Sequence, residues 1–192
     1  MRVTQSSGIC LGFALLALGC STIEISTDYH RNTDFASLKT FAWIPEPQKT
    51  TGDPRLDNSL LDQRIRKAVD AQLQFKGYEK QPAPPADFFI AYHLSIESKI
   101  DVSVVNGYGG VGWGRYWGGG IGYTSVTEWD QGSIVLDFLE PKTRNLIWRG
   151  VARAEIYFDS TPEEREERTN KAIRKILERF PPPSNPGAAI GP

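Results

Sequence analysis

The chain has 192 residues, of which 40% are hydrophobic, 23% charged and 11% aromatic; this is the composition of a folded domain, not of a disordered or collagen-like chain. A formal charge of −1 excludes the global basic field that would point to nucleic acid. At this length a chain buries a sizeable core without disulfide staples.

The first twenty residues differ from the rest. Arg2 supplies a positive start, and Ile9 to Leu18 is an apolar run broken only by glycine, too short for a stable bilayer span. It ends in Ala17-Leu18-Gly19-Cys20, which resembles the lipobox of bacterial lipoproteins, where small residues precede a cysteine that receives diacylglycerol before cleavage. Leu16 stands one place earlier than the usual leucine, with Ala17 at minus three. The expectation is a signal peptide over 1–19 and a lipidated N-terminus over 20–22; an ordinary secretory leader with a bystander cysteine is the alternative. Cys10 falls in the leader, so Cys20 is the mature chain's one cysteine and no internal disulfide forms. Removing 1–19 takes away Arg2 and no acid, which leaves 21 basic and 23 acidic residues. Three acyl chains exceed what stable anchoring needs. Ser21, where aspartate would favour inner-membrane retention, points to the outer membrane, facing the periplasm.

In chain order, residues 23–29 alternate apolar and polar side chains as a half-buried strand does, and Lys39 to Ile44 form a second strand closed by Pro45 and Pro47. A helix is expected from an Asp53 N-cap with Pro54 in its first turn. Leu61, Ile65, Val69 and Leu73 make its apolar stripe, and Gly77 suits its left-handed C-cap. Residues 88–102 read as the clearest strand, with Phe88, Ile90, Tyr92, Leu94, Ile96, Ile100 and Val102 on one face and Asp87, Glu97, Lys99 and Asp101 toward water. Strands at 123–130, 133–139 and 145–157 follow, joined by turns at Asp130-Gln131-Gly132 and at Pro141 to Asn145. The last element is a helix opened by the capping box of Thr161 and Glu164, packing through Ala172, Ile173, Ile176, Leu177 and Phe180. The order β-β-α-β-β-β-β-α implies one α+β domain over 23–180, a mostly antiparallel sheet with two helices on one face, and a disordered proline-rich tail over 181–192.

Residues 106–122 carry nine glycines interleaved with Tyr108, Trp113, Tyr116 and Trp117. The string from Gly107 to Gly112 fits G-x-G-x-x-G, but a dinucleotide site needs a helix to start there, and more glycine and a strand follow. Chance explains it. The segment suits a tip whose Trp113, Arg115, Tyr116 and Trp117 contact glycan, lipid or protein. A long hairpin loop without a ligand is the commoner outcome for such a composition.

Several pieces together resemble the domain-of-unknown-function 4136 family of bacterial envelope lipoproteins. They are Asp34-Phe35 through Lys39-Thr40-Phe41-Ala42-Trp43, Ala86-Asp87-Phe88, Leu146-Ile147-Trp148-Arg149-Gly150, and Ile176-Leu177 into Phe180-Pro181-Pro182. Glu140 precedes Pro141 where the family leads one to expect aspartate. The resemblance implies a lipoprotein with a small α/β domain and brings no catalytic residues.

The two histidines, His30 and His93, have no partners at ligand spacing, so no metal or cofactor is expected. Ser125, Ser133 and Ser160 lack a nucleophile-elbow context. The leading expectation is a non-enzymatic binding or scaffolding lipoprotein at the outer membrane, with membrane lipid and an envelope protein or glycan as partners. The alternatives are an envelope hydrolase using Asp28, His30 or Asp34, and a peptidoglycan or glycan binder acting through 106–122.

Overall fold

The computed structural model describes residues 22–45, 51–105 and 123–183, with backbone alone at 102–105 and 123–125. Its elements are β1 (Glu24–Tyr29), β2 (Thr40–Trp43), α1 (Ser59–Phe75), β3 (Glu79–Lys80), β4 (Phe88–Val105), β5 (Tyr123–Leu139), β6 (Leu146–Glu155) and α2 (Pro162–Leu177). The strands form one sheet in the order β1-β6-β5-β4-β2-β3. Pairing is antiparallel from β1 through β4 and parallel where β2 meets β4 and β3. The fold is therefore α+β and mostly antiparallel, with both helices on one face of the sheet.

Both helix stripes meet the sheet where their periodicity places them. Ile65, Val69 and Leu73 of α1 and Ile173, Ile176 and Leu177 of α2 are fully buried against Phe88, Ile90, Leu136, Phe138 and Trp148. Thr161 caps α2 in a complete capping box. Phe180, three residues past α2, sits at the centre of the core. Its ring centroid lies 4.6 Å from that of Phe138, 5.2 Å from Trp148 and within 6 Å of Phe35, Tyr78 and Phe88.

Three expectations require correction. The cap of α1 is Asn58, whose side chain accepts from the Leu61 amide, and Asp53 opens a separate turn. Asp57 stabilises that turn by accepting from the Thr51 and Gly52 amides. Residues 130–132 make no hairpin: β5 runs unbroken through them, because Gln131 pairs with Glu97 on one side and Glu155 on the other. Strand β3 has two residues, too few to show a period. The element string matches expectation only because one strand was split and another missed. Residues 184–192 of the expected tail lie outside the described residues.

Two of the short sequence pieces meet in one clamp. After β3 the chain crosses the start of β2 to begin β4, and Asp87 ties the crossing down. Its Oδ2 accepts from the Lys39 and Thr40 amides, both at 2.8 Å, while its own amide donates to the Thr40 hydroxyl at 3.0 Å. Asp87, expected merely to face water, holds the parallel β2–β4 pair in register. The Lys39 amide bond, followed by those from Thr40, holds the Asp87 carboxyl below its ordinary value. A folded pKa below the unfolded one means that the stabilisation is complete above the unfolded pKa and is lost as pH falls through the folded one. Urea unfolding from neutral pH down to about pH 3 should therefore show a shallower acid-side loss for Asp87→Asn than for the parent chain. Parallel curves would remove Asp87 from the acid response.

Candidate functional site

Strands β4 and β5 outrun the sheet. The last row shared with β6 is Glu97↔Gln131↔Glu155, and the eight pairs from Ser98↔Asp130 to Val105↔Tyr123 continue as a two-stranded ribbon. At about 3.3 Å per residue the ribbon extends some 25 Å beyond that row. Its root is pinned around Asp130. The Ser98 hydroxyl donates to Asp130 Oδ1 at 2.7 Å, the Ile156 amide donates to the Asp130 carbonyl at 2.8 Å, and the Arg55 guanidinium lies 3.6 Å from Asp130 Oδ2. Arg55 also hydrogen-bonds Asp53 and stands 5.0 Å over the Phe158 ring. Beyond the root, Ile100 and Val126 are diagonal neighbours on one ribbon face, 65% and 64% exposed. The ribbon leads into 106–122, so Trp113, Arg115, Tyr116 and Trp117 lie outside the described residues, as does Cys20.

The helix-free face carries a polar row. Asp137 of β5 is buried and accepts two bonds of 2.6 Å from Arg149 of β6, while its Oδ2 stands 3.3 Å from His93 Nε2. Asp28 of β1 is the register partner of Arg149. Donation to Asp137 raises the Arg149 pKa, and the charge of Asp28 adds to it. A bidentate carboxylate–guanidinium pair is oriented and charge-compensated. It cross-links β5 and β6.

The hydrolase candidates are placed separately. Asp28 Oδ1 accepts from the Tyr29 amide, His30 Nδ1 lies 3.5 Å from the Thr33 hydroxyl, and Asp34 closes a turn onto the Ala36 amide. All three are exposed. Among the described residues no three His, Cys, Asp or Glu side chains are grouped to hold a metal, and no helix is long and apolar enough to cross a membrane. An open depression of about 460 Å³ runs along α2, lined by Glu163, Glu166, Glu167, Asn170, Lys171 and Arg174. Its walls belong to one charged helix face.

One polar network escaped the sequence reading. The Tyr92 hydroxyl donates to Asp62 at 2.7 Å, Arg66 binds Asp62 and stacks over Trp43, and Trp43 Nε1 donates to Asp70, which also holds Lys80. Burial, then the bond to Asp62, pushes the Tyr92 hydroxyl pKa well up. This network fastens α1 to β2 and β4. Its available signal was a tyrosine hydroxyl on the otherwise apolar inner face of β4.

Residues 25–182 match the family described as Domain of unknown function (DUF4136). The chain belongs to that family. The clamp residue Asp87 and the core residues Trp148 and Phe180 all fall within the matched range. No curated protein matches this DUF4136 chain. Solved structures do. It is similar to a PDZ domain protein from Parabacteroides distasonis at 14% identity and a TM-score of 0.51, over 88% of this chain and 39% of that one. It is also similar to PelC from Paraburkholderia phytofirmans, solved as a dodecamer, at 11% identity and a TM-score of 0.43, over 81% of this chain and 95% of that one. These likenesses concern the fold alone, and this chain spans well under half of the PDZ domain protein's length.

Proposed function

We propose that this chain is an exported lipoprotein of the bacterial envelope, held at the outer membrane by lipid on Cys20, whose domain binds or scaffolds and catalyses nothing. The ribbon carries the reading. A sheet that needed only stability would end β4 and β5 with β6, because a two-stranded ribbon is marginal by itself. Here the extra length, pinned at Asp130, lifts exposed Ile100 and Val126 away from the core, and the aromatic-rich sequence 106–122 follows β4 in the chain. Such an element suits contact with a second body. Trp113, Arg115, Tyr116 and Trp117 are its proposed contacts, with an envelope protein or glycan as partner.

The anchoring half is tested in the producing bacterium. Cys20→Ser should abolish palmitate labelling and leave the leader uncleaved before residue 20. A variant still labelled and still in the membrane fraction contradicts the lipoprotein reading.

A further inference from the structure

The exposed large apolar side chains of the described residues are unevenly distributed. Leu60, Ile100, Val126, Tyr157 and Phe158 lie at the ribbon end of the domain, whereas Phe75 and Leu146 lie at the other. The ribbon end is also where the chain enters the fold. Glu24, the first residue of β1, shares a row with Arg153, Ser133 and Ser95. Only four residue steps separate Glu24 from Cys20, a reach of about 14 Å at full extension. The ribbon runs ten residues past the same row, about 33 Å. A ribbon aimed straight along β1 would therefore overshoot any surface in which Cys20 is seated.

Sheet twist removes the conflict. Each strand step rotates the direction by about 20–25°, so three steps from β1 to β4 swing the ribbon through roughly 60–75°. It then leaves obliquely, with its long side along that surface. The charge on its lower part selects the kind of lipid. Glu97, Asp101, Glu128 and Asp130 outnumber Lys99 and the Arg55 guanidinium that lies 3.6 Å from Asp130. Such an acidic stem is repelled by anionic headgroups.

We propose that the ribbon end of the domain, through Leu60, Ile100, Val126 and Phe158, rests on the zwitterionic lipid surface that holds the acylated Cys20. This rests on the lipoprotein reading and adds a fixed orientation to it. The four side chains would sit at headgroup depth, and the far end, with Phe75 and Leu146, would face away.

The test uses the full acylated protein in phosphatidylcholine vesicles, with bimane on Ile100→Cys, Val126→Cys or Phe75→Cys; acylation blocks Cys20. Brominated lipid chains should quench the labels at 100 and 126 and leave the label at 75 bright. Substituting phosphatidylglycerol for phosphatidylcholine should weaken the quenching. Failure of the protein to float with the vesicles overturns both the anchor and the orientation. Flotation without quenching at 100 and 126 overturns the orientation alone. If those labels are instead shielded from aqueous iodide but untouched by brominated lipid, a second protein copy covers the surface and the proposal falls. Stronger quenching with phosphatidylglycerol would contradict the zwitterionic assignment.

Discussion

Replacing Phe180 by alanine is expected to cost about 3–5 kcal/mol, the range for emptying a fully buried phenylalanine site. The expectation rests on position. Phe180 lies beyond the last turn of α2, yet its ring touches Phe138 and Trp148 from the sheet, Tyr78 from the segment after α1 and Phe35 from the segment after β1. These groups come from four separate stretches of chain, so no local rearrangement refills the space. The midpoint of thermal unfolding should fall on the order of 10 °C for a domain of this size. Phe75→Ala, at a site 87% exposed, supplies the control and should stay within about 0.5 kcal/mol of the parent. Similar small shifts for both would mean that Phe180 is not the centre of the core.

Gly150→Ala is the second large effect. Gly150 faces the helices in β6, and a Cβ there would lie 2.4 Å from both Trp148 Cη2 and Ile176 Cγ2. Neither neighbour can yield. Both side chains are fully buried, and Trp148 is wedged between Phe138 and Phe180. Overpacking of this kind costs about 1–3 kcal/mol. Gly132→Ala offers the comparison, since its Cβ would meet Ile156 Cδ1 at 2.6 Å. That atom is the far end of a half-buried, flexible side chain, which can swing aside. Urea midpoints should rank parent, Gly132→Ala, then Gly150→Ala. The reverse order of the two variants would show that the Trp148–Ile176 wall is softer than its burial implies.

These residues also show what the sequence made legible. The two helix stripes and the alternation of β4 are periodic over long stretches and landed on the predicted faces, except that β4 outruns the core and leaves Ile100 of its apolar face exposed. Gly150 was recognised only as part of a family string; its reason, a tryptophan ring folded back over it, depends on distant packing. Asp130-Gln131-Gly132 has the chemistry of a turn, yet pairing on both sides holds it extended, which is how tertiary context overrides local propensity. Asp53 and Asn58 are both good caps, and five residues of spacing do not decide between them. Parallel pairing of β2 with β4 leaves no local trace, because the clamp joins Asp87 to residues 47 and 48 positions earlier. For the candidate site, the segment 106–122 stood out by composition, whereas the length of its ribbon and the pinning of its root are properties of the paired strands.

The central claim is that the ribbon serves contact while the rest of the domain folds without it. Replacing 99–129 by an Asn-Gly turn cuts β4 and β5 just above the root and spares Ser98, Asp130 and every core residue. The decisive measurement is recovery of crosslinked envelope material by the acylated, truncated protein beside the parent, with thermal unfolding of both. The account predicts an unfolding midpoint close to the parent's and a loss of the recovered material. An unfolded product would make the ribbon part of the core, and a stable product with undiminished recovery would place the contact surface elsewhere.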